Sequence, residues 1–222
     1  AHPAVGGFHR EVVPQEISCI MGAISDDGIN WTRSEAPILI YEPAIGILND
    51  YDNPAYLGNF HRPSLMYDED RWRMWFDYWE SGPYGMSMAH AENFGDPLNP
   101  DDWQITHDLS LPIIREWPNP DVIKVGSQYY SFSDPSGYPG GVCGWTRRQL
   151  REAVSSDGIT WRVLDYIEPD YDAPTNHVPQ ALITEIDGAK WLYLFYANQI
   201  GGEPYNWRHS RIRYMRRPVS VE

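Results

Sequence analysis

The feature that most constrains this chain is a repeat. Two nine-residue segments match closely: Ala23-Ile24-Ser25-Asp26-Asp27-Gly28-Ile29-Asn30-Trp31 and Ala153-Val154-Ser155-Ser156-Asp157-Gly158-Ile159-Thr160-Trp161. Each runs from small and apolar residues into Asp-Gly, with a tryptophan three residues after the glycine. Asp-Gly between alternating runs is a strong hairpin signal, because glycine accepts φ > 0 and the aspartate bonds turn amides. The tryptophan then opens the outgoing strand.

A second series has a regular spacing. Arg62-Pro63-Ser64-Leu65, Asn119-Pro120-Asp121-Val122 and Val178-Pro179-Gln180-Ala181 each open an apolar run. Pro63 to Pro120 is 57 residues, Pro120 to Pro179 is 59, and Trp103 to Trp161 is 58. A ladder tolerates proline at a strand's first residue, so each proline is expected there. A polar turn follows each run. Aromatic second strands come next (Trp72 to Trp79, Tyr129 to Phe132, Trp191 to Tyr196), and then third strands (Met86 to Ala91, Leu150 to Ser155, Ile212 to Arg216). Trp103 and Trp161 begin fourth strands.

Four consecutive antiparallel strands in about 58 residues is the meander of a β-propeller blade, somewhat longer than the usual compact repeat of about 40–45. The expected fold is all-β: one propeller domain over residues 1–222, of the five-bladed type, with about four blades visible. The blades fall near 1–50 (partial), 60–113, 117–168 and 176–222, the last without a clear fourth strand. His2-Pro3-Ala4-Val5 opens the abbreviated first blade.

Composition agrees. Aromatic residues are 14% of the chain, beside 19 Pro and 18 Gly, as suits pleated surfaces joined by turns. The formal net charge of −14 argues against nucleic-acid and anionic-membrane partners, both of which need a basic surface. No apolar run approaches the roughly 20 residues of a membrane span. No basic segment followed by an apolar one opens the sequence, so no signal peptide is read, although a processed chain would look the same. A secreted or periplasmic location is favoured over a cytoplasmic one. Cys19 and Cys143 lack any metal-binding spacing and are either a disulfide or two thiols.

The Ala-x-Ser-x-Asp-Gly-Ile-x-Trp element, the proline-led first strands and the Trp/Tyr-rich second strands resemble the five-bladed propeller glycosidases around glycoside hydrolase families 32 and 43. The resemblance covers most of residues 17–217. It is specific for architecture and weak for reaction. In the sialidase Asp-box one residue separates Asp from Gly, whereas here they are adjacent. The resemblance implies a glycan-processing enzyme that hydrolyses O-glycosyl bonds with paired carboxylates. Two departures favour the alternative of a non-catalytic or degenerate carbohydrate-binding propeller. Relatives carry acids near the starts of innermost strands, often as Asp-Pro or Glu-Gly-Pro, but here His2, Arg62, Asn119 and Val178 precede the prolines. Five blades would also need about 290 residues at this period.

Propeller topology places strand-one starts, second-to-third loops and blade-to-blade loops on one face. Those loops are long and chemically rich, and such loops on a rigid scaffold are where sites are built. The candidate catalytic acids there are Asp121, Glu116, Asp134 and Asp77. Paired carboxylates of a glycosidase stand about 5–5.5 Å apart for retention and about 6.5–9.5 Å for inversion. Each acid also has an ordinary structural reading, as a turn bond or a solvated strand cap. His61, Arg62, His177 and Gln180 are candidates for substrate hydroxyls or carboxylates, and Trp79, Trp117 and Tyr138 for sugar stacking. The aromatics read equally as packing beneath the loops. No cofactor is required and no metal ligands are assigned, though oxygen ligands are plentiful enough for a Ca²⁺ ion in a central channel. The expected partner is an oligo- or polysaccharide, and a second copy or a partner chain can complete the ring, since open sheet edges associate.

Overall fold

A computed structural model describes residues 18–40, 58–80, 85–135, 148–167, 175–199 and 210–219. They belong to two compact units, Ala1–Glu116 and Trp117–Glu222. In the first unit β1 (Ala23–Ile24) pairs with β2 (Thr32–Arg33). A four-stranded sheet follows in chain order: β3 (Gly58–Asp68), β4 (Arg71–Glu80), β5 (Gly85–Asn93) and β6 (Trp103–Ile105). The second unit holds a four-stranded sheet of β7 (Asp121–Val125), β8 (Gln128–Ser133), β9 (Arg151–Ser155) and β10 (Arg162–Tyr166). Its second sheet has three strands, β11 (Thr175–Ile186), β12 (Ala189–Gln199) and β13 (Ser210–Pro218). Every named ladder is antiparallel. No helix among the described residues is long and apolar enough to cross a membrane.

Strict alternation explains why second strands are central. In β4, Met74, Phe76 and Tyr78 bury one face against Ile20, Ile38 and Leu39, while Arg73, Trp75 and Asp77 lie buried on the other. In the second unit Phe132 and Leu150 pack with Leu192, Leu194 and Tyr196 of β12. Burying each such side chain contributes about 1.5–3 kcal/mol.

The nine-residue elements fold alike, bond for bond. Gly28 and Gly158 take φ of 72° and 76°, as the Asp-Gly signal requires. The Ile29 and Asn30 amides donate to Asp27 Oδ1 at 2.8 and 2.7 Å, and those of Ile159 and Thr160 donate to Asp157 Oδ1 at the same distances. The Trp31 and Trp161 indoles donate to the Gly28 and Gly158 carbonyls. The tryptophan therefore closes the turn, and the strand begins one residue later than expected, at Thr32 and Arg162.

The strand-opening prolines differ from expectation in a second way. Pro63 and Pro179 sit inside β3 and β11, at register shifts between His61 and Ser64 and between His177 and Gln180. A bulge tolerates proline because its extra residue leaves the ladder. The residue before each proline takes a left-handed backbone: Arg62 φ 47°, Asn119 φ 50° and Val178 φ 52°. The three blades share this strained turn.

Candidate functional site

Register makes the repeats comparable position by position. Ser64, Asp121 and Gln180 each follow the proline and pair with Trp75, Phe132 and Phe195. Two residues further along the second strand stand Asp77, Asp134 and Ala197. The left-handed residues and these strand-two residues form matched pairs.

In the first unit Asp77 is fully buried within β4, opposite His61. Arg62 donates Nη1–H to Asp77 Oδ2 at 2.8 Å, and His61 Nδ1 lies 3.6 Å from Asp77 Oδ1. The Arg62 side chain is 39% exposed, so its guanidinium joins a buried carboxylate to solvent. Glu116 is exposed at φ 53°, with its amide donating to Ser87 Oγ at 3.2 Å.

In the second unit Asp134 is also fully buried. Asn119 Nδ2 donates to its Oδ1 at 2.6 Å and Arg148 Nη1 to its Oδ2 at 2.9 Å. Asn119 thus does for Asp134 what Arg62 does for Asp77, and Arg148 supplies the charge. Val178 and Ala197 hold the corresponding places in the last sheet, where donor and acid are absent together. There the polar chain involves other residues: Asn198 donates to Asn176 Oδ1 and Asn176 to Gln149 Oε1, both at 2.7 Å. His177 is buried beside it. Burial and then the Arg148 charge push its imidazole down to about 4, so it is neutral at physiological pH.

The remaining predicted residues fall as follows. Asp121 accepts the Ala181 amide at 2.5 Å, which ties β7 to β11. Gln180 is exposed beside it in sequence. Trp117 is 1% exposed, with its indole donating to Ser131 Oγ at 2.9 Å; an indole so enclosed presents no face for a sugar and packs as core. Trp79 is placed by its backbone, opposite Gly58 and Met86. Tyr138 and Cys143 lie outside the described residues, and Cys19 is a free thiol. Among the described residues no group of three or more His, Cys, Asp or Glu is placed to hold a metal ion. Sequence reasoning missed Arg148 and Asn119 as partners of Asp134, because separations of 14 and 15 residues say nothing of contact before the strands are paired.

The sheets, their meander order and the blade-sized repeat define an all-β fold of the propeller class. Comparison with solved structures agrees. The β-fructofuranosidase of Schwanniomyces occidentalis, complexed with fructosyl-erythritol, matches 95% of this chain at 12% identity with a TM-score of 0.60. The GH32 β-fructofuranosidase BmSUC1 of Bombyx mori, as a mutant complexed with sucrose, matches 91% at 15% identity with a TM-score of 0.54. This chain spans 41% of the length of each. At such identities the likeness shows a shared fold and nothing further. No protein-family model and no curated protein matches the sequence.

Proposed function

We propose that the protein acts on carbohydrate as a glycoside hydrolase, using carboxylates of the strand-one and strand-two ends: Asp77 and Glu116 in the first unit, Asp121 and Asp134 in the second. The observation that carries this reading is the recurrence of a fully buried aspartate, aimed by a side chain from the strained pre-proline turn, at equivalent places in two repeats. Strain that persists in matched positions is the kind of feature found at ligand sites, and the solved structures of like fold include enzymes with sugars bound. In the first unit Arg62 and His61 are then polar contacts for a sugar, and in the second unit His177 is.

A panel of aryl glycosides together with sucrose tests the activity. The expected result is turnover of at least one substrate, falling by about 10²–10⁴ in the Glu116→Gln or Asp121→Asn variant. Turnover unchanged in all four acid-to-amide variants overturns the carboxylate assignment.

A second reading has its own support. Both oxygens of Asp134 accept hydrogen bonds, and an amide engages Asp121. Acids so committed suit a sugar-binding propeller without catalysis. Glycan binding measured by calorimetry, with no hydrolysis over the same panel, selects that reading.

A further inference from the structure

Asp-Gly occurs three times in this chain, at Asp27-Gly28, Asp157-Gly158 and Asp187-Gly188. Glycine has no Cβ to shield its amide nitrogen, which can therefore approach the preceding carboxyl and close a succinimide ring. The structure treats the two reacting groups differently at the three steps.

At the first two, one serine holds both groups. The Ser25 hydroxyl accepts the Gly28 amide at 2.9 Å and donates to Asp27 Oδ1 at 3.0 Å. Ser155 does the same for Gly158 and Asp157, both at 2.8 Å. The Asn30 and Ile29 amides, and those of Thr160 and Ile159, donate to the same Oδ1 atoms. The nucleophile is tied through its own proton, and the carboxyl is fixed by at least three donors. Those donors favour the ionised form, and the Asn30 and Ile29 amides hold Asp27 well below the usual carboxylate range. A carboxylate is the poorer electrophile, because its oxygen has no proton to leave with.

Asp187-Gly188 has neither lock. It is the two-residue turn between β11 and β12, with Ile186 opposite Ala189. Its φ values of 52° and 77° are those of a type I′ hairpin. Glu185 stands where the other two elements have serine. Both turn residues are exposed, and a Cβ built on Gly188 meets nothing within 4 Å. Among the described residues no side chain or turn amide is hydrogen-bonded to the Asp187 carboxyl or to the Gly188 amide.

We propose that Asp187-Gly188 is a site of spontaneous modification, where aspartate converts to isoaspartate through a succinimide, and that Ser25 and Ser155 guard the other two steps against the same reaction. The Gly188 nitrogen bonds to Asp187 Cγ, and its proton leaves with the carboxyl hydroxyl as water. Water then opens the ring. Attack at Cγ restores aspartate. Attack at the main-chain carbonyl breaks that carbon's bond to nitrogen, so the chain runs on through Cβ and Cγ and the α-carboxylate is released. Water is the only co-reactant, and nothing is oxidised or reduced. The added main-chain carbon no longer fits a two-residue turn, so the Ile186–Ala189 and Glu185–Lys190 pairs at the hairpin end loosen.

The test ages the protein at physiological temperature, native and in parallel in concentrated urea. Peptide mapping reads isoaspartate at each step, confirmed by uptake of heavy oxygen from labelled water. In the native protein isoaspartate is expected at Asp187 about tenfold or more faster than at Asp27 or Asp157, the factor by which one or two ordinary hydrogen bonds shift an opening equilibrium. In urea the three rates are expected to converge, because the turns are gone. Ser25→Ala lies in an exposed hairpin and is expected to raise the native rate at Asp27 toward that at Asp187, whereas Ser25→Thr keeps the hydroxyl and leaves it low. Equal native rates at the three steps overturn the proposal, as does an Asp187 that reacts in urea and stays unmodified in the native protein. A lead of Asp187 that persists undiminished in urea assigns the rate to flanking residues and overturns the role of the fold. Ser25→Ala without effect at Asp27 overturns the guard.

Discussion

At the scale of single residues, the repeat shows how little sequence is needed to fix a turn. One aspartate oxygen collects two amides in each nine-residue element, and this holds the Asp27 carboxyl well below the usual range. At Asp157 burial pushes the carboxyl up, but the Thr160 and Ile159 amides and the Ser155 hydroxyl outweigh it and bring it down to about 2. A carboxyl lowered by folding stabilises the fold above its unfolded value of 3.8, and that contribution is lost as pH falls through about 2. Asp157→Asn is therefore expected to cost about 1 kcal/mol at pH 7, discounted for solvent exposure, and almost nothing at pH 2. Urea melts at the two pH values check this. His177 has the same sense of dependence from a different cause. Its folded value of about 4 lies below the ordinary 6.5, so the unfolded chain binds the proton first and stability declines as pH drops from 6.5 toward 4. His177→Gln is expected to flatten that limb of the stability profile.

At the scale of elements, the strained pre-proline turn links local backbone to site chemistry. Its left-handed residue is arginine, asparagine or valine. Asparagine visits this region readily, whereas a β-branched residue there is an outlier. Val178 is half exposed, so little packing opposes its replacement. Val178→Asn reproduces the Asn119-Pro120 turn and is expected to stabilise the protein by about 1 kcal/mol, read as a shift in denaturation midpoint at constant slope. The opposite change is expected for Asp134→Ala, which leaves the Arg148 guanidinium buried without its carboxylate and costs about 3–5 kcal/mol. Strand order and second-strand centrality were legible from the proline and tryptophan spacings, because alternation and turn chemistry are local. The bulges were not legible: an extra residue in a strand leaves no mark in composition, and proline at a strand start and proline at a bulge obey the same steric rule.

At the scale of the whole molecule, charge is the governing quantity. A net charge of −14 on 222 residues repels itself in the folded state. Raising salt from about 0.01 to 0.15 M shortens the screening length from roughly 30 to 8 Å, and the melting temperature is expected to rise. A fall in melting temperature over that range, by scanning calorimetry, would show that the ion pairs at Asp77, Asp134 and Glu152 outweigh the global repulsion. Read alone, the amino-acid sequence determined the all-β class, the period of about 58 residues, the matched hairpins and the absence of acids before the strand-opening prolines. Each follows from near-neighbour sterics and spacing along one chain. Only the tertiary structure decided which polar residues meet: that Arg62 and Asn119 serve the same office toward Asp77 and Asp134, that Asp121 ties two sheets together, and that Trp117 is core. Those facts depend on which strand lies beside which, and register is set by burial summed over the whole sheet rather than by any residue's immediate neighbours.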